Sequence, residues 1–422
     1  MTIRAFCADQ LFTGRELVHN GCVVYENNRI VDVGKKGSID TSVDPVELKG
    51  YTLLPGLIDA HIHITGFRSG DYIKESLLVP YATFVARAIK DLESVLMAGY
   101  TTIVDAGSTI SLELKKAAEE RIIKSPRIIA SGYPVSQTFG HGDIHFLPPE
   151  YVDPRTSKLR MPLQSLLCDG ANECRKATRY ALRTGSDFIK VFTTGGIASE
   201  KDRPEYPQLT REELVAIVDE AKRAHRFVHA HAEGKEGIIA ALEAGITRIA
   251  HAIYLDEEGI ELAKEKNAVI IPTLTIIHLI LRFGEVSGLP EWALRKTMEA
   301  REHHINSIRK AYRSRVRLAT GTDLFINSNE YNVYGLNSME ILLLINEIGL
   351  TPLEALEAAT INAAYVAGLD HEVGILKPGY KTDFIAVKGN PIEDPSLLLG
   401  PENIHLVVKE GIIQKYNIDL ED

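Results

Sequence analysis

From about Leu57 to Leu350 the sequence repeats one unit, a compact apolar run of strand length followed by a stretch with helical periodicity. Eight such runs occur: LIDAHIHI, TTIVDAG, RIIASG, FIKVF, FVHAHA, RIAHA, VIIPTL and VRLATGTD. Strands that alternate with helices predict an α/β fold with a parallel sheet, and eight is the number that closes a (β/α)8 TIM barrel. The chain has 422 residues, more than the ~250 of a bare barrel, so an accessory module is expected.

The two ends supply it. Residues 1–56 alternate short β-rich runs with turns; in GCVVYENNRIVDVG a strand, an Asn-Asn turn and a second strand predict a hairpin. The tail, with GILKPGYKTDFIAVKGNP and IHLVVKEGIIQK, has the same character. We therefore expect residues 1–56 and 372–422 to form one small β-sandwich domain, and residues 57–371 to form the barrel domain. Inside the barrel, Thr210 with Glu213 makes a capping-box pattern before Leu214, Ile217, Val218 and Ala221. Thr351, Pro352 and Glu354 announce another helix start in TPLEALEAATINAAYVAGL.

Several function classes are disfavoured. A net charge of −10 with no basic cluster argues against nucleic-acid binding, and KRAHR (222–226) reads as the solvated end of a helix. No stretch approaches ~20 uninterrupted apolar residues, so no membrane span is expected. Cys7, Cys22, Cys168 and Cys174 show neither CxxC spacing nor a convincing disulfide framework, which fits a reducing compartment. The segment MTIRAFCADQLF lacks signal-peptide character. The expectation is a cytoplasmic homo-oligomer acting on a small-molecule substrate.

The chemistry lies at the strand ends. DAHIH sets Asp59, His61 and His63 at alternate positions, so a strand's period of two points all three the same way and two imidazoles can reach one metal. Such histidines can also be mere hydrogen-bonded neighbours; their place at the C-terminal end of a barrel strand favours ligation. Lys190 stands inside the apolar run FIKVF. A cationic lysine aimed into a barrel carries a large desolvation cost unless paired or chemically changed. It either snorkels outward or becomes a carbamate, formed from the neutral amine and carbon dioxide, whose anionic oxygens can bridge two cations. His229 and His231 share one face of the fifth run, so strand geometry does not choose between them; His251 ends the sixth, and Asp323 ends the eighth. Ionisable groups at the ends of strands one, four, five, six and eight are hard to explain by packing and predict a metal site. Imidazole plus carboxylate-type oxygen suits zinc, and also manganese, iron, cobalt or nickel.

PGLIDAHIH, the lysine of FIKVF, AHAEG, IAHA and TGTD, in that order and with the split β-rich ends, resemble the amidohydrolase superfamily over essentially the whole chain. More narrowly they resemble its binuclear prolidase-like and imidazolonepropionase-related branch, with its metal-dependent Xaa-Pro or Xaa-Arg dipeptidases and carboxypeptidase-like enzymes. The resemblance implies two divalent metal ions, zinc by expectation. His61 and His63 would bind the first, His231 and His251 the second, N6-carboxylated Lys190 would bridge both, and Asp323 would complete the first site. Matching AHA in AHAEG to the family motif selects His231 over His229.

Two cations acidify a shared water, whose pKa falls from ~15.7 toward ~7. The expected reaction is thus hydrolysis of an amide or peptide-like bond by a metal-bridging hydroxide, with Asp323 as general base and later acid. His141, in TFGHGDIHF after strand three, resembles a family histidine near the substrate. Glu233 shares the strand face of His231, where relatives often carry Tyr or His, and Tyr206 with Arg203 sits in the loop after strand four; Glu233 and Tyr206 join His141 as substrate-contact candidates. The glycines of TTGGIASEKDRP lack the Lys-Ser/Thr ending of a Walker motif. The substrates expected are short peptides or N-acyl amino acids. The alternatives are a cyclic amide, a lactone or a phosphotriester on the same site, and a noncatalytic scaffold, against which all six expected ligands speak.

Overall fold

The computed structural model describes residues 3–39, 44–327 and 333–418. Strands β1 (Ile3–Phe12), β2 (Leu17–Glu26), β3 (Arg29–Lys35) and β4 (Val46–Pro55) open the chain. The hairpin forms as read: β2 pairs antiparallel with β3 across Asn27 and Asn28. Asn27 takes φ 56°, a left-handed conformation that Asn tolerates in turns. β1 lies between β2, antiparallel to it, and β4, parallel to it.

Each of the eight apolar runs contains a strand. They are β5 (Leu57–Ile62), β6 (Tyr100–Asp105) and β7 (Arg127–Ala130), then, after two short strands β8 (Val135–Ser136) and β9 (Leu166–Leu167), β10 (Ile189–Phe192), β11 (Val228–Ala232), β12 (Arg248–His251), β13 (Val269–Ile271) and β14 (Arg317–Leu318). All pairings among them are parallel, in a sheet ordered β5-β6-β7 and a second ordered β14-β13-β12-β11-β10-β8-β9. Backbone bonds link the two sheets at both junctions. Ala60 N donates to Thr320 O (2.9 Å), Asp323 N to His61 O (2.7 Å) and His63 N to Leu324 O (2.8 Å) on one side, and Asp187 N to Ala130 O (2.8 Å) on the other. The fold is therefore mixed α/β with parallel strands.

The helices between strands start where side chains cap them. Thr210 and Glu213 make a reciprocal capping box on helix Arg211–Arg223, and Thr351 and Glu354 make another on helix Pro352–Glu357. The second helix widens into a π turn at Ala358–Asn362. There Thr320 N donates to Ala358 O and Asn362 Nδ2 to Leu318 O, which pins the segment that leads into Asp323.

The chain closes with β15 (Phe384–Lys388), β16 (Ile404–Lys409) and β17 (Ile412–Tyr416). These join the N-terminal strands in one seven-stranded sheet, β17-β16-β15-β4-β1-β2-β3. Phe6, Tyr25, Leu53, Phe384 and Leu406, from both ends, share its buried core.

One expectation is corrected. The four cysteines pair as Cys7–Cys22 and Cys168–Cys174. Cys7 and Cys22 are register partners on antiparallel β1 and β2, while Cys168 follows β9 and meets Cys174 in the first turns of helix Ala171–Thr184. Such proximity comes from strand register and a strand-to-helix corner, neither of which linear spacing displays.

Candidate metal centre

Asp59, His61 and His63 do not share one role. Asp59 is buried and accepts from Thr322 Oγ1 (2.6 Å), Asn337 Nδ2 (2.7 Å) and the amides of His61 and Thr322 (both 3.1 Å). It ties β5 to the segment after β14, and burial raises its carboxyl to about 6 against those bonds. His61 and His63 point to Asp323, with Nε2 to Oδ1 distances of 3.4 and 3.1 Å.

Lys190 is buried, with Nζ 3.1 Å from His61 Nε2. Burial lowers its ammonium to about 7, against the pull of Asp323 and Asp105. Burial is the first cause that holds His61, His229, His231 and His251 well below the usual imidazole range; neighbouring basic groups add to it, and at His251 the nearby Asp323 works against it. They are therefore neutral donors with lone pairs available. At Asp323 desolvation works upward, but the bond to His63 and the nearby His251, His63 and Lys190 outweigh it and hold the carboxyl at about 2.

The backbone at this rim is held in unusual conformations. His251, Ala252, Thr273 and Asp323 have φ between 55° and 72°, a region costly for residues with a Cβ and tolerated where the surroundings over-determine it. His251 Nδ1 lies 2.8 Å from Thr273 Oγ1, and the His251 carbonyl faces His304 Nε2 at 2.9 Å.

Two sets of potential ligand atoms result. Those of His61, His63 and Asp323 lie within 4.8 Å of one another, and so do those of His231, Glu233 and His251. His61 and His251 rings stand 5.1 Å apart, centroid to centroid, and His231 and His251 4.5 Å apart. His229 is elsewhere, behind His61, with Nε2 2.9 Å from His61 Nδ1. Neutral imidazoles, carboxylates and a buried amine are the donor types that divalent first-row metals take, so the residues present fit such ions.

His141 lies over this centre, its ring stacked on that of His231 at 4.3 Å. Three residues absent from the sequence reading hold it. Nδ1 of His141 is 2.8 Å from Ser199 Oγ, which donates to Asp202, and His141 N donates to Gln208 Oε1 (2.8 Å). Asp202 is buried, yet its carboxyl is held below the usual range because bonds to His141 and Ser199 outweigh desolvation. Lys296 donates to the carbonyls of Gly196, Ser199 and Asp202, which fastens the same loop. A Cβ at Gly196 would collide with the His141 ring, so the glycine allows this close approach. Only the polar pattern of SEKD hinted at these contacts. Tyr206 is exposed and does not line the cavity; its backbone is spent on Gly195 and Arg203.

The centre opens into a cavity of about 170 Å³ whose wall includes Ile144, Leu163, Phe192, Ile197, Ile253 and Ile277. Among the described lining residues Lys190 is the sole lysine or arginine.

Residues 52–413 match the Amidohydrolase family. The chain belongs to the amidohydrolase family. It is 35% identical to the ochratoxinase of Aspergillus niger over 376 residues, 86% of this chain and 75% of that one. The crystal structure of A. niger ochratoxinase superposes with a TM-score of 0.88 at 32% identity, covering 98% of this chain and 96% of that one. Imidazolonepropionase of Pseudomonas fluorescens is 24% identical over 94% of both chains. A Xaa-Pro dipeptidase structure with bound methionine gives a TM-score of 0.85 at 27% identity over 98% of this chain and 100% of that one. This amidohydrolase is a hydrolase acting on C–N bonds, in the prolidase-like branch of its superfamily.

Proposed function

We propose that the enzyme hydrolyses an amide bond beside a bulky apolar group, in short peptides or N-acyl amino acids, at a centre of two divalent metal ions, zinc by preference. The observation that carries this reading is the convergence of His61, His63 and Asp323 with Lys190, His231 and His251 at the floor of one apolar cavity. His61, His63 and Asp323 would hold the first ion, His231 and His251 the second, and Lys190, carboxylated on Nζ, would join them. Bound there, the ions would acidify water and polarise the scissile carbonyl.

The chain's own groups do the rest. Asp323, ionised at neutral pH, accepts the proton from water and returns it to the leaving amine. The aliphatic wall excludes solvent and seats the apolar part of the substrate. His141, fixed by Ser199 and Asp202, stands where a substrate carbonyl or carboxylate would need a donor. With Lys190 carboxylated, no lysine or arginine ammonium or guanidinium is left in the described wall to meet a substrate carboxylate.

Bond hydrolysis in a cyclic amide, a lactone or a phosphotriester is the second reading, since this chemistry is permissive. Purified enzyme loaded with zinc in bicarbonate should cleave apolar dipeptides or N-acyl amino acids in a substrate panel. Turnover of lactones or phosphotriesters alone would favour the second reading, and no turnover in a fully metallated protein would favour the scaffold.

The architecture supporting this site is, in our reading, a closed (β/α)8 barrel of residues 57–371, which the backbone bonds between β5 and the Thr320–Leu324 segment and between Ala130 and Asp187 favour. Residues 1–56 and 372–422 make the accessory sandwich. We read the enzyme as a homo-oligomer, testable by light scattering. No helix among the described residues is long and apolar enough to cross a membrane. The two disulfides suit an oxidising compartment better than the cytoplasm, and thiol titration of the native protein decides between them.

A further inference from the structure

We propose that Glu233 is a protein ligand of the second metal ion, so that each ion sits in its own set of two histidines and one carboxylate; the assignment rests on the metal-dependent reading above. Glu233 follows β11, two residues past His231 and on the same side of the strand. Its backbone is fixed by two bonds, N to Thr194 Oγ1 (3.0 Å) and O from Tyr254 N (2.8 Å).

Among the described residues no lysine or arginine forms an ion pair with the side chain. Glu233 is 5% exposed, and its Oε2 is closed off from solvent without a hydrogen-bond partner. Its Oε1 receives only a long bond from Ile197 N (3.5 Å) and lies 3.7 Å from His231 Nε2. Burying a carboxylate without donors is strongly unfavourable unless a charge of opposite sign meets it. The neighbouring ammonium, Lys296, spends its protons on the carbonyls of Gly196, Ser199 and Asp202.

The surroundings indicate which cation. One ligand atom each from His231, Glu233 and His251 converge within 4.8 Å, the same span as His61, His63 and Asp323. His231 Nε2 meanwhile rests against Gly195 O at 3.2 Å, a weak contact that ligation at this nitrogen displaces. Glu233 also borders the cavity, but its Oε1 lies beside His231 Nε2 and within the His231–Glu233–His251 set, which favours ligation over substrate contact. Ligation therefore replaces the substrate-facing role that sequence suggested for Glu233. It gives the second ion a carboxylate of its own, independent of the chemistry at Lys190.

The test is metal titration of Glu233→Gln, which keeps shape and removes the charge. Metal-free wild type and variant are titrated with Co(II) in bicarbonate, with bound metal counted by equilibrium dialysis and the visible spectrum of the bound ion recorded. Thermal melts of both metal-free proteins are measured alongside. We expect wild type to bind two equivalents. The variant should bind one with wild-type affinity and the other at least ~10-fold more weakly, with an altered spectrum. Metal-free Glu233→Gln should melt at the same temperature as wild type or higher, because the amide keeps the oxygen that meets Ile197 N and gives up no other side-chain bond. Two equivalents at wild-type affinity with an unchanged spectrum in the variant overturn the assignment of Glu233 and leave the binuclear reading intact. A metal-free variant that melts markedly lower, or fails to fold, shows a structural carboxylate and also overturns it. Fewer than two equivalents in wild type overturn the binuclear reading and this assignment together.

Discussion

His61 and His229 meet ring to ring, Nδ1 to Nε2 at 2.9 Å, while Nε2 of His61 faces Lys190 and Asp323. Both imidazoles are held neutral by burial. His61 can offer a lone pair from Nε2 only if Nδ1 keeps the proton, and His229 Nε2 is the acceptor that Nδ1 finds. Metal ligands of this type usually donate to a carboxylate or carbonyl; in the proposed centre a second histidine would do that work. His229→Phe keeps the bulk and removes the acceptor. We expect it to lower metal affinity or turnover by ~10 to 100-fold, the usual cost of losing such a support. Unchanged metal affinity and turnover in a folded variant would show that His229 is only packing.

Lys190→Ala removes the amine that the proposed bridge requires. Metal content and turnover should both fall, and short carboxylic acids such as formate or acetate should restore part of the activity by occupying the vacated space. Elemental analysis with and without the acid checks this. A fully metallated and active Lys190→Ala enzyme would remove the carbamate from the mechanism.

The same amine predicts a pH dependence for assembly. Carbon dioxide adds to the neutral amine, and an ordinary lysine at pH 7 is neutral in only about one molecule in 3,000. Burial lowers Lys190 to about 7, so roughly half is neutral there. The charged form dominates below that value and the neutral form above it. Reconstitution of metal-free enzyme with zinc and bicarbonate should therefore accelerate as pH rises through about 7. Burial holds His61, His231 and His251 well below the usual imidazole range, so these three do not set that midpoint. A rate that keeps climbing steeply to pH 10 would mean that Lys190 has an ordinary basicity.

The strands were legible because each long apolar run is bounded by a turn or a helix start, and the eight runs recur at β5, β6, β7 and β10 to β14. β8 and β9 were not, since two residues carry no periodicity. The histidines were visible as HxH spacings, but the separate duties of His229 and His231 depend on depth along β11, and strand alternation is blind to depth. Asp59 shows the same limit: it shares the parity of His61 and His63, yet is taken up by Thr322 and Asn337. Ser199, Asp202 and Lys296 were illegible because a loop and a helix about 95 residues apart in sequence meet only in three dimensions.

Asp323 is the residue on which the proposed chemistry turns, because it both faces the first metal's histidines and is the carboxylate placed to accept the water proton. Its carboxyl is held at about 2, below the usual carboxylate value, so its base form is present at every pH above that. The charge is lost only as pH falls through that value. An activity loss between pH 5 and 7 must then come from a group other than Asp323. Asp323→Asn keeps the size and one oxygen but removes the basic carboxylate, and loss of a general base costs ~10² to 10⁴ in rate. We expect kcat to fall by that factor with metal largely retained and any limb between pH 5 and 7 still in place. Metal must be counted in the same protein preparation, because loss of the first ion would imitate loss of the base. Near-normal turnover in a metal-replete Asp323→Asn enzyme would reduce Asp323 to a ligand and move the proton transfer to another group, with His141 the first to examine.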